Sequence, residues 1–441
     1  RAKHRVALCI GTVAGHAAAD LSGDGTPDTL LSGDYLTLLQ TFQGTTGMGG
    51  FPSAAPTGAT GTAISPVQAA RFLTQASFGP TLASIDRVRL LGYGGWITEQ
   101  KALPPTLHSS YARAISDDLF SHRADLTYSH SEMDHFLFGN NLMTAFARAA
   151  IQGEDQLRQR VAFALSQIIV TSRRDAALEN RVLGMASYYD IFVRHAFGNY
   201  LDILREVTFH PVMGRYLSHV GNAKARPEIN QFPDENYARE LMQLFTIGLW
   251  QLQPDGTRQT SAGQPVPTYS NTEITHLARV FTGFWFGHHN WGQGGWTEAD
   301  YATPLSLHSN RHDFDPKTLV GGHTIPARAP TPENARRDVE DALLHLLQHP
   351  NTAPFVSRQL IQFLVTDNPT PAYVQRIATL FADNGQGVRG DLGTVIPAIL
   401  LDPEARASRP ASTSPGFGRL KEPVMRTMAL GRAFGLQNVP D

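Results

Sequence analysis

Cysteine is almost absent: Cys9 stands alone in 441 residues. A single thiol excludes an intramolecular disulfide framework and a cysteine-built metal cluster within one chain. Net charge is nearly absent as well, with 37 basic against 39 acidic side chains and a formal balance of -2. No basic run rises above that balance, so the electrostatic footprint of a nucleic-acid binder is missing. No stretch approaches the roughly 18 continuous apolar residues of a membrane-spanning helix. Also lacking are a GxSxG elbow, a phosphate-binding glycine loop, an HExxH pair and a dinucleotide fingerprint, which argues against serine-hydrolase, nucleotide-dependent and zincin chemistry. Strand-like alternation is confined to short pieces such as Thr318 to Pro326.

What is there is ordinary globular material, 41% hydrophobic and 17% charged, long enough to bury a sizeable core. Residues 1–19 open on Arg1, Lys3, His4 and Arg5, continue through a short weakly apolar stretch and end on Ala17, Ala18 and Ala19. That silhouette is a signal peptide, and the expectation is a secreted or periplasmic protein. In residues 20–43, Asp20, Ser22, Asp24, Thr26 and Asp28 alternate around Gly25. Oxygen ligands at every second position around a turn glycine are what a calcium loop presents. The twelfth position is Leu31, so the closing carboxylate would be Asp34, three residues late. The segment resembles half of a dockerin repeat, with structural calcium as the expected cofactor and no organic cofactor. Residues 44–65, rich in Gly, Ser, Thr and Pro without apolar period, read as a linker.

Helical periodicity begins at Pro66 and recurs to the end. The spacing predicts helices over 66–76, 81–91, 94–101, 130–151, 156–170, 178–196, 200–207, 211–220, 270–286, 332–348, 354–365, 371–384, 392–401 and 422–434. Ser270 with Glu273 has capping-box spacing, and Thr331-Pro332 and Thr370-Pro371 set Pro at the first helical position behind a capping Thr. The fold expected is all-α: an irregular multi-helix domain over 66–441 with long loops and little or no β.

The stretch Phe232 to Trp250, FPDENYARELMQLFTIGLW, carries the densest polar pattern. At about 100° per residue, Tyr237, Ala238, Leu241, Met242, Leu244 and Phe245 share an apolar face. Glu235, Asn236, Arg239, Glu240, Gln243 and Thr246 share the other. Asp234 is its expected N-cap and Gly248 its expected stop. Glu235 and Glu240 differ by about 140° around the axis and about 7.5 Å along it, which makes them poor candidates to flank one bond. A partner carboxylate is expected from Asp313 or Glu273, and Arg239 is one turn from Glu235, a natural ion-pair partner.

The segments AARFLTQASFGPT, GYGGWITEQ, RQRVAFALSQIIVTS, HPVMGRYLSHVGN, PDENYARELMQLFTIGL, YSNTEITHLARVFTGFWF, HDFDPKTLVGG and HPNTAPFVSRQLIQFLV occur in this order. With the tail LLDPEAR they resemble the bacterial DUF1800 family, a domain of unknown function, from about Ala69 to Phe434. The resemblance implies a largely helical, commonly exported protein and brings no settled activity. Gln243 stands where the family helix often has Glu.

Three constellations offer chemistry. The first is the polar helix face. The second is His308, His312 and Asp313 in LHSNRHDFDPK, where a histidine beside a carboxylate suits proton transfer or metal ligation. His210 and Asn222 are further polar residues of the shared segments, and His210 is equally placed to cap the helix that follows. The third is the Gly-rich stretch carrying Trp285, Trp291 and Trp296, whose flat faces suit a sugar ring. Together they lead to an expectation of a hydrolase cleaving a polysaccharide. Glu240 or Glu235 would be acid or base, Asp313 the partner and His312 the proton tuner. Arg239, Asn236, His210, Trp285, Trp291 and Trp296 would bind substrate. The alternatives are a metal-dependent enzyme using His312, Asp313 and a helix glutamate, and a non-catalytic assembly or binding protein.

Overall fold

The computed structural model describes residues 64–121, 139–287, 289–292, 301–407 and 416–436. The acidic turn from Asp20 to Asp34, the signal-like opening, the linker and Trp296 lie outside these residues. The described chain is built from α1 (Pro66–Ala76), α2 (Leu82–Ala102), α3 (His108–Ser121), α4 (Gly139–Gln152), α5 (Gln156–Ile168), α6 (Val182–Arg194), α7 (Tyr200–Phe209) and α8 (Pro211–Tyr216). After these come α9 (Asn236–Glu240), a π-helical turn over Leu241–Thr246, and α10 (Asn271–Val280). The last third holds α11 (Pro332–Gln348), α12 (Thr352–Leu364), α13 (Pro371–Ala382), α14 (Leu392–Leu401), α15 (Pro403–Arg406) and α16 (Pro423–Ala433).

Three antiparallel two-stranded ribbons fill the connections: β1 (Thr260–Ser261) with β2 (Gln264–Pro265), β3 (Phe284–Trp285) with β4 (Ser306–Leu307), and β5 (Lys317–Thr318) with β6 (Thr324–Ile325). The all-α expectation therefore holds, and the alternation seen from Thr318 to Pro326 becomes the β5–β6 hairpin.

Helices α5 and α6 are the centre. Almost every residue of α5 is buried, and it packs against α1, α2, α4, α6 and α12, while α6 packs against α3, α4, α5, α7 and α8. The start signals read from sequence are made as hydrogen bonds. Ser270 and Glu273 form a reciprocal capping box, and the Thr331 and Thr370 hydroxyls accept from Asn334 N and Tyr373 N.

Helix α3 was not expected, and its physical reason is long-range. Its first amides, His108 N and Ser109 N, donate to Asp190 Oδ1 and Oδ2 at 2.7 and 3.0 Å. The cap is supplied by α6, far along the chain, so no local residue announces the helix.

The expected helix over 270–286 ends early, at Val280. Gly283 takes φ +86°, and a Cβ there would meet His308 O at 2.9 Å and His312 N at 3.0 Å. The backbone must turn and pass close to the 308–312 loop, and it then enters β3 instead of a further helical turn.

Candidate functional site

The stretch singled out by its polar face is not one α-helix. Five α-helical residues are followed by a π turn, with Thr246 Oγ1 donating to Leu241 O at 2.6 Å. A π turn adds a residue to the helical repeat and rotates everything after it, and such turns recur at functional sites. The expected apolar face is corrected accordingly. Tyr237, Ala238, Leu241, Met242 and Phe245 are buried, but Leu244 turns outward at 37% exposure and Thr246 turns inward at 0%.

The helix ends at Gly248, as expected, with φ +70° and the Phe355 ring 2.6 Å from where a Cβ would sit. Gly248→Ala is expected to cost about 2 kcal/mol or more, from the left-handed backbone and overpacking together. A chemical-denaturation midpoint checks it.

At the start of the helix Asp234 Oδ1 accepts from Asn236 N at 2.8 Å, an Asx cap one residue ahead of Glu235. Asn236 itself is exposed. Asp234 is in turn held by Asn222, whose Oδ1 accepts from Asp234 N at 2.8 Å. The Asn222 amide donates to Asp234 O at 3.3 Å and to Phe281 O at 3.1 Å. Asn222 is thus a buried latch that ties the start of α9 to the end of α10. Asn222→Ala leaves backbone groups on both elements short of a partner, and a loss of about 2–3 kcal/mol by urea unfolding is the expected outcome.

Glu235 leans toward the N-terminal half of α10. Glu235 accepts from Thr275 Oγ1 at 2.7 Å and from Arg239 Nη2 at 3.1 Å, so the expected one-turn ion pair is present. Glu240 has no hydrogen-bond partner among the described residues. Burial pushes its carboxyl above the usual range, with the Arg239 charge opposing. The Glu240 charge reaches Tyr269, which immediately precedes the Ser270 cap of α10. Its hydroxyl is buried without a partner and its phenol is pushed up by burial, with the charges of Arg239 and Glu240 acting on it. Glu240 is thus a partly buried carboxyl without a partner, and the Tyr269 hydroxyl within its electrostatic reach is likewise unpaired.

His312 and Asp313 are placed elsewhere, in an ion network. Asp313 takes both nitrogens of a bidentate Arg279, at 2.8 and 3.0 Å, and its backbone N donates to Thr282 Oγ1. Burial pushes the Asp313 carboxyl up, but the Arg279 bonds and charge outweigh it and hold it below the usual range. His312 is fully buried, one ring nitrogen 2.8 Å from Thr282 O and the other 3.2 Å from Asp338 Oδ2.

Asp338 also accepts from Lys317 Nζ at 2.7 Å, and the side chains of both have 0% exposure. Arg328 Nε lies 2.8 Å from Asp338 Oδ1 but off the hydrogen-bond axis, so it adds charge without a directed bond. Glu273, the other expected partner, is committed to its Ser270 cap. The geometry therefore leaves Glu240 without Asp313 or Glu273 as a free partner.

His210 does cap the next helix: its Nδ1 accepts from Val212 N at 3.3 Å. The ring proton then sits on Nε2 and points at Ser187 Oγ, 3.1 Å away, so His210 is not a base for that serine. Trp285, on β3, is buried with its ring 5.0 Å from that of Trp291. Trp291 also faces His308 at 5.9 Å and carries the Arg311 guanidinium at 5.3 Å.

Among the described residues no group of three or more His, Cys, Asp and Glu side chains is arranged to hold a metal. Both His312 nitrogens are committed to protein partners.

Sequence reasoning missed Tyr269, Thr275, Arg279, Lys317 and Asp338. Asp338 did leave a signal: it falls on the apolar stripe of α11 with Ala335, Val339, Ala342 and Leu346, where a lone carboxylate must be paired.

The fold and site define a predominantly helical protein with an uncommitted glutamate at the mouth of a π turn. The family model described as "Protein of unknown function (DUF1800)" matches residues 71–440, and the chain belongs to that family. No curated protein and no solved structure matches it. Among the described residues no helix is long and apolar enough to cross a membrane.

Proposed function

We propose that this protein is a hydrolase that cleaves a glycosidic bond in a polysaccharide, with Glu240 as the general acid. The observation that carries the reading is the Glu240 carboxyl, raised by burial and unpaired, with the orphaned Tyr269 hydroxyl within its electrostatic reach. A carboxyl whose pKa is raised holds its proton to higher pH than an ordinary glutamate, which suits it to donate to a leaving-group oxygen.

Glu235 is the remaining carboxylate of the helix. It is engaged by Thr275 and Arg239, and its offset of about 140° around the axis from Glu240 keeps the two from flanking one bond, so it is the alternative acid or base rather than the partner of Glu240. The paired rings of Trp285 and Trp291 support a sugar as the ligand class.

A second reading, in which polar family residues fix helix packing, is favoured for His312 by its place in the buried Asp338 network and for Asp313 by its bidentate pair with Arg279. The two readings concern different residues and coexist.

The test is turnover by Glu240→Gln and Glu235→Gln variants across a panel of polysaccharides, read as new reducing ends. Wild-type turnover by both variants overturns the hydrolase reading.

A further inference from the structure

A cavity of about 350 Å³ opens between α4, α5 and α6 and shares no lining residue with the Glu235–Glu240 face. Its wall is built from Phe146 on α4, Phe163 on α5, and Met185, Tyr189 and Phe192 on α6, with Met143, 52% exposed, beside the opening. Among the described residues no Asp, Glu, Lys or Arg lines it. The rings meet edge to face or tilted, Phe146 to Phe163 at 5.8 Å and Phe146 to Tyr189 at 6.1 Å, which fixes the wall rather than filling the space.

Of the polar groups on this wall, Tyr188 and Ser166 spend their hydroxyls on Ile169 O and Phe163 O, Gln167 and Thr171 are neutral, and His108 and Tyr189 remain. The His108 ring stacks on Tyr189 at 4.5 Å. Its tautomer follows from its neighbour: the Gln159 amide nitrogen donates to Thr106 O and Asp155 Oδ2, so Gln159 Oε1 is the acceptor facing His108 Nε2 at 3.0 Å. His108 therefore carries its proton on Nε2. Burial lowers its pKa, keeping the ring neutral with Nδ1 as a bare acceptor. The Tyr189 hydroxyl is buried and has no partner, and burial pushes its phenol far up, so it stays protonated and able to donate. An acceptor and an unspent donor on a largely apolar wall are what an orienting pair in a ligand pocket looks like.

We propose that this cavity binds a neutral, apolar small molecule, an alkyl chain or fused aromatic ring bearing one hydroxyl, held at its polar end by Tyr189 and His108. At about 30 Å³ for each water-sized group, the space takes roughly a dozen non-hydrogen atoms. Charged ligands are excluded by the wall, since no side chain on it compensates a buried charge.

The experiment is calorimetric titration and thermal shift of the full chain with 1-decanol and 2-naphthol, beside decanoate and 2-naphthoate. The neutral pair should bind and raise the melting temperature, and the carboxylates should bind at least about tenfold more weakly. Tyr189→Phe should weaken 1-decanol and 2-naphthol about fivefold while leaving naphthalene unchanged. Met185→Trp, which fills the space, should weaken all of them by about tenfold or more. Ser166→Phe serves the same purpose if that variant does not fold. Absence of binding by both neutral probes, equal binding of the carboxylates, or undiminished binding to a folded cavity-filled variant overturns the proposal.

Discussion

Replacing Asp338 with alanine is expected to destabilise the fold by about 3–5 kcal/mol, the range for removing one partner of a buried ion pair. The side chains of Asp338, Lys317 and His312 all have 0% exposure. Without Asp338, the Lys317 ammonium keeps only Asp315 O at 3.1 Å, and Arg328 loses one of its two carboxylate neighbours. The cost is the stranded charge more than the lost bonds.

A double variant, Lys317→Met with Asp338→Leu, should recover much of the loss, because removing both charges also removes their desolvation. Urea unfolding of the two variants against wild type measures this. If Asp338→Ala unfolds within 1 kcal/mol of wild type, by about the error of a surface substitution, the network is not the anchor described.

The pH dependence follows in sign. Burial pushes the Asp338 carboxyl up, but the bonds from His312 and Lys317 and the Lys317 charge outweigh it, leaving it below the usual range. A lowered folded pKa stabilises the fold above the unfolded carboxylate value, about 3.9, and that contribution is lost as pH falls through the folded value. The gap between wild type and Asp338→Ala should thus be full at neutral pH and shrink in acid.

On the proposed hydrolase function, Glu240→Gln is expected to reduce glycosidic turnover by about 10²–10⁴-fold without loss of fold, the range for removing a general acid. Its pKa is raised, mainly by burial. The acid form then persists to higher pH than for an ordinary glutamate, and wild-type activity should fall as pH climbs through the raised value. That alkaline limb should vanish in the residual activity of the glutamine variant.

Stability should move the other way. A carboxyl whose folded pKa is raised weakens the fold as pH rises from the unfolded value, about 4.3, through the folded one. Glu240→Gln should therefore melt at or above wild type at neutral pH, and the difference should disappear in acid. A carboxylate kept for packing gives the opposite result, a destabilised variant with no change in the pH profile. Melting curves and pH–rate profiles on the same two proteins separate the cases.

Part of this arrangement was legible without coordinates. The periods, the Thr-Pro starts and the Ser270–Glu273 box placed α1, α10, α11, α13 and α14 because helix stability begins with residues three and four apart and with caps one turn away. The Glu235–Arg239 pair and the Gly248 stop were readable for the same reason. Other features depended on residues distant in sequence. The start of α3 is capped by Asp190, and the partner of His312 is Asp338, 26 residues on. The expected pairing of Glu240 with Asp313 did not allow for Arg279, which competes for that carboxylate from the end of α10.

The sequence by itself determined the helical class, most helix boundaries, the family segments and the choice of the 232–250 stretch, all properties of neighbours within a turn or two. Only the tertiary structure decided what that stretch is. The π turn rotates Leu244 out and Thr246 in, against a face drawn at constant pitch. Packing against α10 then engages Glu235 with Thr275 and leaves Glu240 with its charge reaching Tyr269. Which carboxylate is paired and which is desolvated is a property of burial, and burial is set by elements the local pattern does not contain.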